Sequence, residues 1–537
     1  MKRVLSIAIL VVVNVFIFVS SLSAQSPLIK ANGEKGEAEF FDKRKNIVPS
    51  SFACIITDDN RKAYEVEIFT QSKTAYDAEL KAVTSAPVKK GDVCLAKVTL
   101  RAVYARQETG ECVAHFYFQR ATSPWEKSIA TQISASTEWK TIYIPFVAKN
   151  DFAASEAAVS IAFGSLRQKV QVAEIEVVNY HNTKQLADLP VTRLTYAGRE
   201  ADAQWRKDAL ARIDTLRKAP IKVTVVDANG KVVRGAKVNI NQSRSAFVWG
   251  TAVNEAALAA DDADAKQYKQ MLKQFFNTAT IENGLKAGGW AWTDDRKVNT
   301  LKAFKWLEDN DMQIRGHCLV WPGWKFNARD MREIAQQDTT AFHRYMLATL
   351  QERMAYAKGK VIAWDVINEM MHERDFYPYL PENWEVEVMK LARQLDPEAE
   401  LFINDYAMLN GSHSPLVIEE YINLVKNLRS KGAPIDAVGV QGHVGTQPRS
   451  PIQILSDLDL FHKEGIPVQI TEFDINTDDE ELQADYTRDF LIAIYSHPTV
   501  EGMTLWGFME KHHWKPMAAM FRKDWTERPA ADEWRKL

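Results

Sequence analysis

The sequence lacks the short motifs that mark several large classes of enzyme. It contains no G-x-G-x-x-G or Walker sequence, no G-x-S-x-G and no H-E-x-x-H. These absences argue against a nucleotide-binding enzyme, a serine hydrolase of the nucleophile-elbow type and a zinc metallohydrolase. His317 and His443 stand apart from any group with metal-ligand spacing. We therefore expect neither a metal nor another cofactor.

A large excess of charge of one sign is also missing. The 537 residues carry 67 Lys and Arg against 70 Asp and Glu, a formal net charge of −3. This balance provides no basic field that would attract nucleic acid, so we expect no nucleic-acid partner. The length predicts two or three domains, because a single hydrophobic core rarely grows beyond ~250–300 residues.

Cysteine is scarce. The four cysteines are Cys54, Cys94, Cys112 and Cys318, and their spacings match no metal-binding motif. An exported protein can form disulfides, so one disulfide among the first three cysteines is allowed. The sequence does not choose the pair.

Long hydrophobic runs are absent after residue 19. Lys2 and Arg3 precede the apolar run 4–19, which is followed by the small-residue segment SSLSAQS. This arrangement predicts a signal peptide over residues 1–24, and the run is short for a membrane span. The alternative is a retained membrane anchor. We expect export to the extracellular space or the periplasm, no membrane contact after cleavage, and a monomer.

Residues 27–182 are built from short stretches in which apolar and polar residues alternate. Strands at such spacing, separated by turn residues, predict an antiparallel β-sandwich. The region resembles the jelly-roll carbohydrate-binding modules, chiefly in the strands at 139–146 and 173–180. Examples of the alternating stretches lie at 63–71, 93–105, 112–119, 139–146, 158–164 and 170–180.

Several aromatic residues of this sandwich are candidates for a platform on which a sugar ring stacks. They are Trp125, Tyr104, Tyr117 and Phe118. Strict alternation would place some of them in the core instead. We therefore predict a sugar-binding role for the sandwich without assigning its ligand.

Residues 183–245 are predicted to connect the sandwich to the next domain. Apolar residues at helical spacing predict an amphipathic helix over about 198–218. A β-hairpin with its turn at Asp227–Gly230 is predicted to follow. We expect this connector to pack on the next domain and to carry no chemistry.

In residues 246–537, short apolar runs alternate with longer amphipathic stretches. Eight such units predict an α/β fold, a (β/α)8 TIM barrel that the all-β jelly-roll-like sandwich precedes. A doubly wound sheet would instead bring a glycine-rich phosphate-binding fingerprint, which is absent. The eight runs lie at 247–253, 277–283, 313–321, 361–369, 400–406, 437–443, 467–474 and 502–508.

Polar and aromatic side chains stand at or just after the ends of seven of these runs. In a (β/α)8 barrel the active site lies at the C-terminal ends of the strands. One such residue alone is as readily a hydrogen-bonded strand end, but repetition at seven strands favours a functional site. The residues are Glu282, Asn283, Lys286, His317, Trp321, Asn368, Glu369, Asn404, Asp405, Tyr406, Gln441, His443, Glu472, Asp474, Trp506 and Trp514.

Two of these residues are carboxylates that end strongly apolar runs. Glu369 closes VIAWDVINE and Glu472 closes PVQITE. Burial of a carboxylate is costly, so its presence at such a place indicates a function. Cleavage of a glycosidic bond needs a proton donor and a second carboxylate that faces the anomeric carbon. The pair therefore predicts sugar cleavage, with tryptophan faces and hydrogen-bonding side chains to hold the rings.

At this point the motifs show a family resemblance. The chain from about residue 246 to its end resembles glycoside hydrolase family 10, the endo-β-1,4-xylanases. The resemblance implies a secreted, retaining endo-β-1,4-xylanase that acts on xylan or xylo-oligosaccharides by double displacement. Two alternatives stay open, namely the same mechanism on another β-1,4-linked glycan and a non-catalytic carbohydrate-binding barrel. The matching motifs are IENGLK (281–286), RGHCLVW (315–321), WDVINE (364–369), INDY (403–406), VQGH (440–443), ITEFDI (470–475) and the pair Trp506 and Trp514.

The resemblance also implies a role for each residue. Glu369 would be the general acid/base and Glu472 the nucleophile, with carboxyl groups roughly 5–5.5 Å apart as in retaining enzymes. His443 would orient Glu472 and would itself be held by Asp474. Asn368 would bind the sugar 2-hydroxyl. The other implied substrate-binding residues are Glu282, Asn283, Lys286, His317, Trp321, Tyr406, Gln441, Trp506 and Trp514.

The sequence departs from the family pattern in two loops. The segment 321–324 reads WPGW where the family commonly has a His after the first Trp, and we expect Trp324 to stack on sugar there. The segment 509–513 reads MEKHH in place of the usual Thr-Asp and Ser. Polar recognition near Trp514 is therefore expected to differ, and the preference for branched or plain xylan stays open.

Overall fold

The computed structural model describes residues 26–44, 49–72, 74–107, 109–242, 244–292, 294–409 and 416–537. The signal peptide predicted over residues 1–24 lies outside these ranges. Within them, no helix combines the length and the apolar character needed to cross a membrane. The four cysteines all fall in described ranges and are free thiols.

The described part of the N-terminal region forms eleven strands, which build two antiparallel sheets. They are β1 (Ile29–Ala31), β2 (Glu39–Asp42), β3 (Ser50–Ile56), β4 (Lys62–Ile68), β5 (Ala78–Val83), β6 (Val93–Ala105), β7 (Cys112–Arg120), β8 (Lys127–Ala135), β9 (Lys140–Val147), β10 (Ala157–Ala162) and β11 (Gln168–Asn179). The six-stranded sheet has the order β3-β4-β11-β6-β9 with β1 beside β11, and the five-stranded sheet has the order β2-β5-β10-β7-β8. The predicted all-β sandwich is confirmed.

The sandwich core follows from the two-residue period of its strands. In β7 the buried side chains include Ala114 and Phe116, which alternate with half-buried His115 and Tyr117. Successive side chains of a strand point to opposite faces of the sheet, so one face meets the facing sheet and the other meets solvent. The alternation that predicts the strands therefore also fills the core.

The four aromatic residues predicted as one sugar platform do not share a surface. Phe118 lies in the core, with its ring centroid 4.8 Å from that of Phe146. Tyr104 belongs to β6 of the six-stranded sheet, whereas Tyr117 belongs to β7 of the five-stranded sheet. Trp125, in the turn between β7 and β8, is 39% exposed. Alternation separates Tyr117 from Phe118 because neighbours on a strand face opposite sides.

The connector contains helix α1 (Gln204–Leu216), which packs on the barrel through a buried ion pair. Arg206 donates to both carboxylate oxygens of Asp489, at 2.8 and 2.7 Å. The hydroxyl of Tyr196 donates to the same carboxylate at 2.9 Å. A buried charge needs such partners, so this contact fixes the helix on the barrel surface.

The hairpin predicted after α1 is present as its turn and one flanking bridge, without the two strands. The Gly230 N–H donates to the Asp227 carbonyl at 3.0 Å, and Val226 and Val232 form one isolated bridge. The described part of 219–242 contains no strand. Val226 and Val232 are 50% and 58% exposed, so no facing surface buries them. A two-stranded ribbon without such a surface is marginal in water.

The C-terminal region is a closed barrel of eight parallel strands, and the predicted α/β barrel is confirmed. The strands β12 to β17 are followed around the barrel by β19 and β20, and pairing of β17 with β19 and of β12 with β20 closes the ring. The strands are β12 (Val248–Val253), β13 (Thr278–Ile281), β14 (Gln313–Val320), β15 (Ala363–Asn368), β16 (Glu400–Asp405), β17 (Ala437–Val440), the short β18 (His443–Val444), β19 (Val468–Ile475) and β20 (Val500–Leu505).

The helices surround the barrel, and side-chain caps start several of them. The carboxylates of Asp262, Asp338 and Asp479 accept backbone N–H groups at the starts of α3, α7 and α11. The N–H groups of a first helical turn have no partner within the helix, so these caps stabilise the helix starts. The helices are α2 (Glu255–Ala259), α3 (Ala263–Phe275), α4 (Ala287–Trp292), α5 (Asp294–Asp309), α6 (Met331–Gln337), α7 (Thr339–Ala357), α8 (Trp384–Leu395), α9 (Leu416–Ser430), α10 (Pro451–Lys463), α11 (Glu480–Tyr495) and α12 (Pro529–Lys536).

The sixth barrel strand is interrupted at residues 441–442, next to the candidate site. The predicted run 437–443 is split into β17 and β18 by Gly442, whose φ of +85° suits glycine. A Cβ there would lie 2.9 Å from a methyl group of Ile470. The Gln441 N–H donates to the Asp405 carbonyl at 3.0 Å. The break brings Gln441 and His443 to the mouth of the barrel.

Candidate active site

The two candidate catalytic carboxylates lie together at the C-terminal mouth of the barrel. Glu369 directly follows β15, and Glu472 lies within β19. Their side chains are buried, with residue exposures of 6% and 4%. Asn404 of β16 joins the pair, because its side chain donates to the Glu472 carboxylate and its carbonyl accepts the Glu369 N–H.

Glu369 is held by hydrogen-bond donors on both carboxylate oxygens. The Trp321 indole N–H donates to Oε2 at 2.9 Å, and the Gln441 amide donates to Oε1 at 2.9 Å. The Glu369 backbone has a φ of +57°, which is uncommon for a residue other than glycine. Its N–H donates to the Asn404 carbonyl at 2.7 Å. Strained backbone of this kind persists where surrounding contacts fix it, often at functional sites.

Glu472 is held by two other residues of the mouth. The Asn404 amide donates to its Oε1 at 2.7 Å. The Nε2 of His443 lies 3.3 Å from its Oε2. Asn404 also donates to the Asn368 side-chain oxygen at 2.8 Å and accepts from the Thr471 hydroxyl at 2.6 Å. Asn404 therefore links the nucleophile candidate to the residue before Glu369.

His443, Asp474 and Trp514 form a chain behind Glu472, as the sequence resemblance implies for the first two. His443 Nδ1 lies 3.0 Å from Asp474 Oδ1, and the Trp514 indole donates to Asp474 Oδ2 at 2.7 Å. Burial opposes a charge on His443, but the carboxylates of Asp474 and Glu472 outweigh it and raise its pKa to about 10. For Asp474, burial is likewise overcome by His443, which holds the pKa of Asp474 below its ordinary value. His443 is therefore a cation at neutral pH.

His317 belongs to a second group of buried charged side chains. Its other members, Arg315 and Asp365, are not predicted as site residues from the sequence. The Nδ1 of His317 lies 2.9 Å from Asp365 Oδ2, and Arg315 donates to Asp365 Oδ1 at 2.5 Å. Burial works against ionisation of Asp365, but Arg315 and His317 lower its pKa. Asp365 and Arg315 stand inside the motifs WDVINE and RGHCLVW, at positions whose side chains point into the barrel. Strand alternation was the signal that could have found them.

Three buried polar atoms at the mouth have no hydrogen-bond partner among the described residues. They are Nδ2 of Asn368, Nε2 of His317 and Oε1 of Gln441. A buried polar group without a partner costs about 1–3 kcal/mol. Such groups at the bottom of a cleft are therefore positions where hydroxyl groups of a ligand can bind.

The predicted residues of the second and third strand ends form one side of the mouth. The Lys286 ammonium donates to the Asn283 side-chain oxygen at 3.0 Å and lies 4.9 Å from the ring centroid of Trp321. Burial raises the pKa of Glu282, against the influence of Lys286. Trp321 also binds Glu369, so this group adjoins the acid candidate.

Aromatic rings line the other sides. The Trp506 ring lies 5.0 Å from His317 and 6.4 Å from His443, nearly perpendicular to both. The Trp514 ring lies 4.8 Å from His443. The Tyr406 ring stacks on the His372 ring at 3.8 Å between centroids, and His372 Nδ1 lies 2.6 Å from Asp405. His372 therefore holds the Tyr406 ring in position. The sequence-predicted residues thus meet at one mouth.

The two departures from the family pattern mainly make contacts inside the protein. Trp324 packs against Phe376 and Phe342, at 4.8 and 5.6 Å between ring centroids, and is half-buried, so its stacking on sugar stays a prediction. Aromatic rings already surround it, and its burial there is favourable. In the second loop, Arg528 donates to Glu510 at 2.9 Å. The Lys511 ammonium, at 2.8 Å from Asp264, also pairs within the protein.

A family model described as Glycosyl hydrolase family 10 matches residues 239–536, more than half of the chain. Among curated relatives, Anti-sigma-I factor RsgI6 of Acetivibrio thermocellus is 30% identical over 341 residues, which cover 62% of this chain and 42% of that protein. Endo-1,4-beta-xylanase 1 of Arabidopsis thaliana is 31% identical over 315 residues, which cover 56% of this chain and 32% of that protein. The chain thus spans less than half the length of these two relatives. The solved native xylanase 10B of Thermotoga maritima is 24% identical, covers 54% of this chain and 94% of its own, and gives a TM-score of 0.48.

Proposed function

The chain belongs to glycosyl hydrolase family 10, and from that premise we propose that it is an exported, retaining endo-β-1,4-xylanase. It would hydrolyse internal β-1,4 bonds of xylan. The observation that carries this proposal is the pair of buried carboxylates, Glu369 and Glu472, each bound by two donors at the mouth of the barrel. Glycoside hydrolysis requires such a pair on opposite sides of the scissile bond.

In the first step, Glu472 attacks the anomeric carbon while Glu369 protonates the leaving oxygen. The bond between the anomeric carbon and the leaving oxygen breaks, and an ester bond to Glu472 forms. Asn404 and His443 bind both oxygens of Glu472, so the carboxylate is already oriented before substrate arrives. The positive charge of His443 keeps the nucleophile paired in its buried setting.

In the second step, Glu369 removes a proton from water, and that water attacks the anomeric carbon. The ester bond to Glu472 breaks, and the configuration of the sugar is retained. The fixed position of Glu369, with Trp321 and Gln441 on its two oxygens, allows one carboxyl group to serve in both steps.

Substrate binding is assigned to the atoms that lack protein partners. The Asn368 amide hydrogen faces the site without an acceptor among the described residues and would bind the sugar 2-hydroxyl. His317 Nε2 would bind a further hydroxyl of the same ring. Hydrogen bonds to the 2-hydroxyl strengthen in the transition state, so they contribute to rate as well as to affinity.

A comparison of polysaccharides tests the substrate. We expect the highest kcat/KM on plain xylan and much lower values on cellulose and mixed-linkage β-glucan, whose rings carry an extra hydroxymethyl group. We also expect the viscosity of xylan to fall before much reducing sugar appears, because internal bonds are cut. Equal or faster turnover of cellulose would contradict the proposed substrate.

For the sandwich we propose glycan binding at an exposed aromatic cluster on its five-stranded side. Trp125, Tyr76 and Phe41 are 39%, 51% and 40% exposed. The Lys81 ammonium lies 5.0 Å from the Trp125 ring and 5.1 Å from the Phe41 ring, and that of Lys43 lies 5.2 Å from the Tyr76 ring. Exposed aromatic faces beside hydrogen-bond donors suit sugar rings.

Retention of the full chain on insoluble xylan tests this cluster, with Glu472→Gln added to prevent hydrolysis. We expect Trp125→Ala with Tyr76→Ala to release most of the bound protein. Phe69→Ala, which removes another exposed aromatic ring, is the control and should bind normally. Unchanged binding of the double variant would remove the cluster from the proposal.

A further inference from the structure

The sandwich contacts the barrel beside the candidate catalytic residues. The carboxylate of Glu111, directly before β7, accepts the Thr446 N–H at 3.1 Å and the Thr446 hydroxyl at 2.9 Å. Ser134 of β8 also hydrogen-bonds the Thr446 hydroxyl. Thr446 follows shortly after His443, so the sandwich binds the loop that carries a residue touching Glu472.

This contact is closely fitted. A Cβ on Gly445 would lie 2.1 Å from a carboxylate oxygen of Glu111, so no larger residue fits there unless Glu111 moves. Glu111 is only 4% exposed, and burial raises its pKa. A carboxylate buried between two domains needs its donors, which here belong to the other domain. The two domains are therefore joined at the mouth itself.

A cavity of about 270 Å³ lies between the two domains next to this contact. Its barrel wall includes His443, Asp474 and Trp514, and its sandwich wall includes Thr109 and Gln132. His443 and Asp474 are the residues that support Glu472, so the cavity adjoins the catalytic pair. Its volume falls just below the ~300–1,000 Å³ typical of pockets for drug-sized ligands, which suits one sugar ring.

Polar groups of the sandwich face this cavity without partners. The Thr109 hydroxyl is buried and has no hydrogen-bond partner among the described residues. The Gln132 side chain lines the cavity and is exposed, and its amide makes no hydrogen bond to the described part of the chain. Trp514, which lines the barrel side of the same cavity, keeps 37% of its surface exposed. A cavity lined by an aromatic side chain together with hydroxyl and amide groups suits a sugar ring.

We propose that the sandwich completes the substrate cleft, with Thr109 and Gln132 binding one sugar ring of the glycan against Trp514. The inference rests on the proposed glycoside hydrolysis and adds to it a binding position made by two domains. Thr109 and Gln132 are specificity residues here, since they would touch substrate but not the reacting atoms. Long or branched glycans reach this position, whereas a single ring at the carboxylates does not.

Steady-state kinetics of Gln132→Ala in the full chain test this subsite. One hydrogen bond contributes about 0.5–1.5 kcal/mol, so kcat/KM on xylan should fall by about two- to twelvefold, mainly through KM. Hydrolysis of an activated aryl β-xyloside, whose single ring sits at the carboxylates, should stay unchanged. Thr109→Trp, which fills the cavity, should lower xylan turnover further. Gln71→Ala, an exposed glutamine of the sandwich that does not line the cavity, is the control.

The outcomes separate this inference from the function on which it rests. A wild-type chain without activity on xylan would overturn the proposed function and the subsite with it. An active wild type with unchanged xylan kcat/KM in both Gln132→Ala and Thr109→Trp would overturn the subsite alone. Equal losses on xylan and on the aryl xyloside would indicate a general disturbance of the fold and would also overturn it.

Discussion

The barrel mouth and the contact between barrel and sandwich hold their polar groups in different ways. At the mouth, neighbouring strands place Asn404 and His443 on the same carboxylate, and each of the two binds a further residue. At the contact, the Glu111 carboxylate binds a residue 335 positions away in sequence. The catalytic pair therefore depends on a connected network of hydrogen bonds, whereas the sandwich is joined to the mouth through a few hydrogen bonds to one loop. Changes at the mouth should remove activity, and changes at the contact should alter which glycans are cleaved.

The largest effect is expected from Glu472→Ala, which removes the proposed nucleophile. Xylan hydrolysis should fall by ~10⁴-fold or more, as for other essential catalytic groups. The circular dichroism spectrum should remain that of the wild type, because the backbone pairing that closes the barrel does not involve the Glu472 side chain. Glu464→Ala, on the surface after α10, is the matched control and should keep full activity. Near-normal xylan turnover by Glu472→Ala would contradict the proposal that the carboxylates at the mouth carry out the reaction.

The next largest effect is expected on the pH dependence of kcat/KM. The raised pKa of His443 near 10 means that it stays charged through neutral pH and loses its proton only in alkali. Asp474→Asn removes a major cause of that rise, so the alkaline limit of kcat/KM should move to lower pH. A pH profile of both proteins measures the shift. An identical alkaline limb in the two proteins would show that His443 does not depend on Asp474.

The free energy of unfolding should also depend on pH through His443. The folded pKa of His443 lies above the ordinary unfolded value of about 6.5, so the folded state binds the extra proton more tightly. The contribution is fully present below about pH 6.5 and is lost as the pH rises toward 10. His513 has the opposite sign, since burial lowers its pKa to about 4 and its contribution is lost as the pH falls from 6.5 toward that value.

The smallest effect is expected from Glu111→Ala at the contact. The Thr446 N–H would lose its acceptor, which should cost about 1–3 kcal/mol in the free energy of opening that loop. Hydrogen exchange of the Thr446 N–H would report the change. Xylan kcat/KM should fall by about tenfold at most, and aryl xyloside hydrolysis should be unchanged. Glu138→Ala, an exposed glutamate of the sandwich, is the control. A loss as large as that of Glu472→Ala would erase the distinction between the two regions.

Much of the fold could be predicted from sequence because its patterns are local. All eight apolar runs of the barrel contain strands, and the strand-end residues meet because parallel strands present their C-terminal ends at one face. Period-two alternation likewise indicated six strands of the sandwich, β4, β6, β7, β9, β10 and β11, but it did not indicate β1, β2, β3, β5 and β8.

What sequence could not predict depends on distant contacts. The Glu111–Thr446 contact joins two domains, and nothing near either residue marks it. The packing of Trp324 against rings from α7 and from the loop after β15 likewise joins residues that are distant in sequence. The hairpin beyond Asp227–Gly230 has the right alternation but no facing surface, and pattern alone does not supply one.

The assignment of the two carboxylates is tested most directly by azide rescue of Glu369→Ala on an activated aryl β-xyloside. Such a substrate needs no proton donor to form the ester with Glu472, but without Glu369 no base activates water, so turnover should be slow. Azide needs no base, and it should restore turnover and give a β-xylosyl azide with retained configuration. An α-xylosyl azide, or no rescue by azide, would contradict the roles given to Glu369 and Glu472.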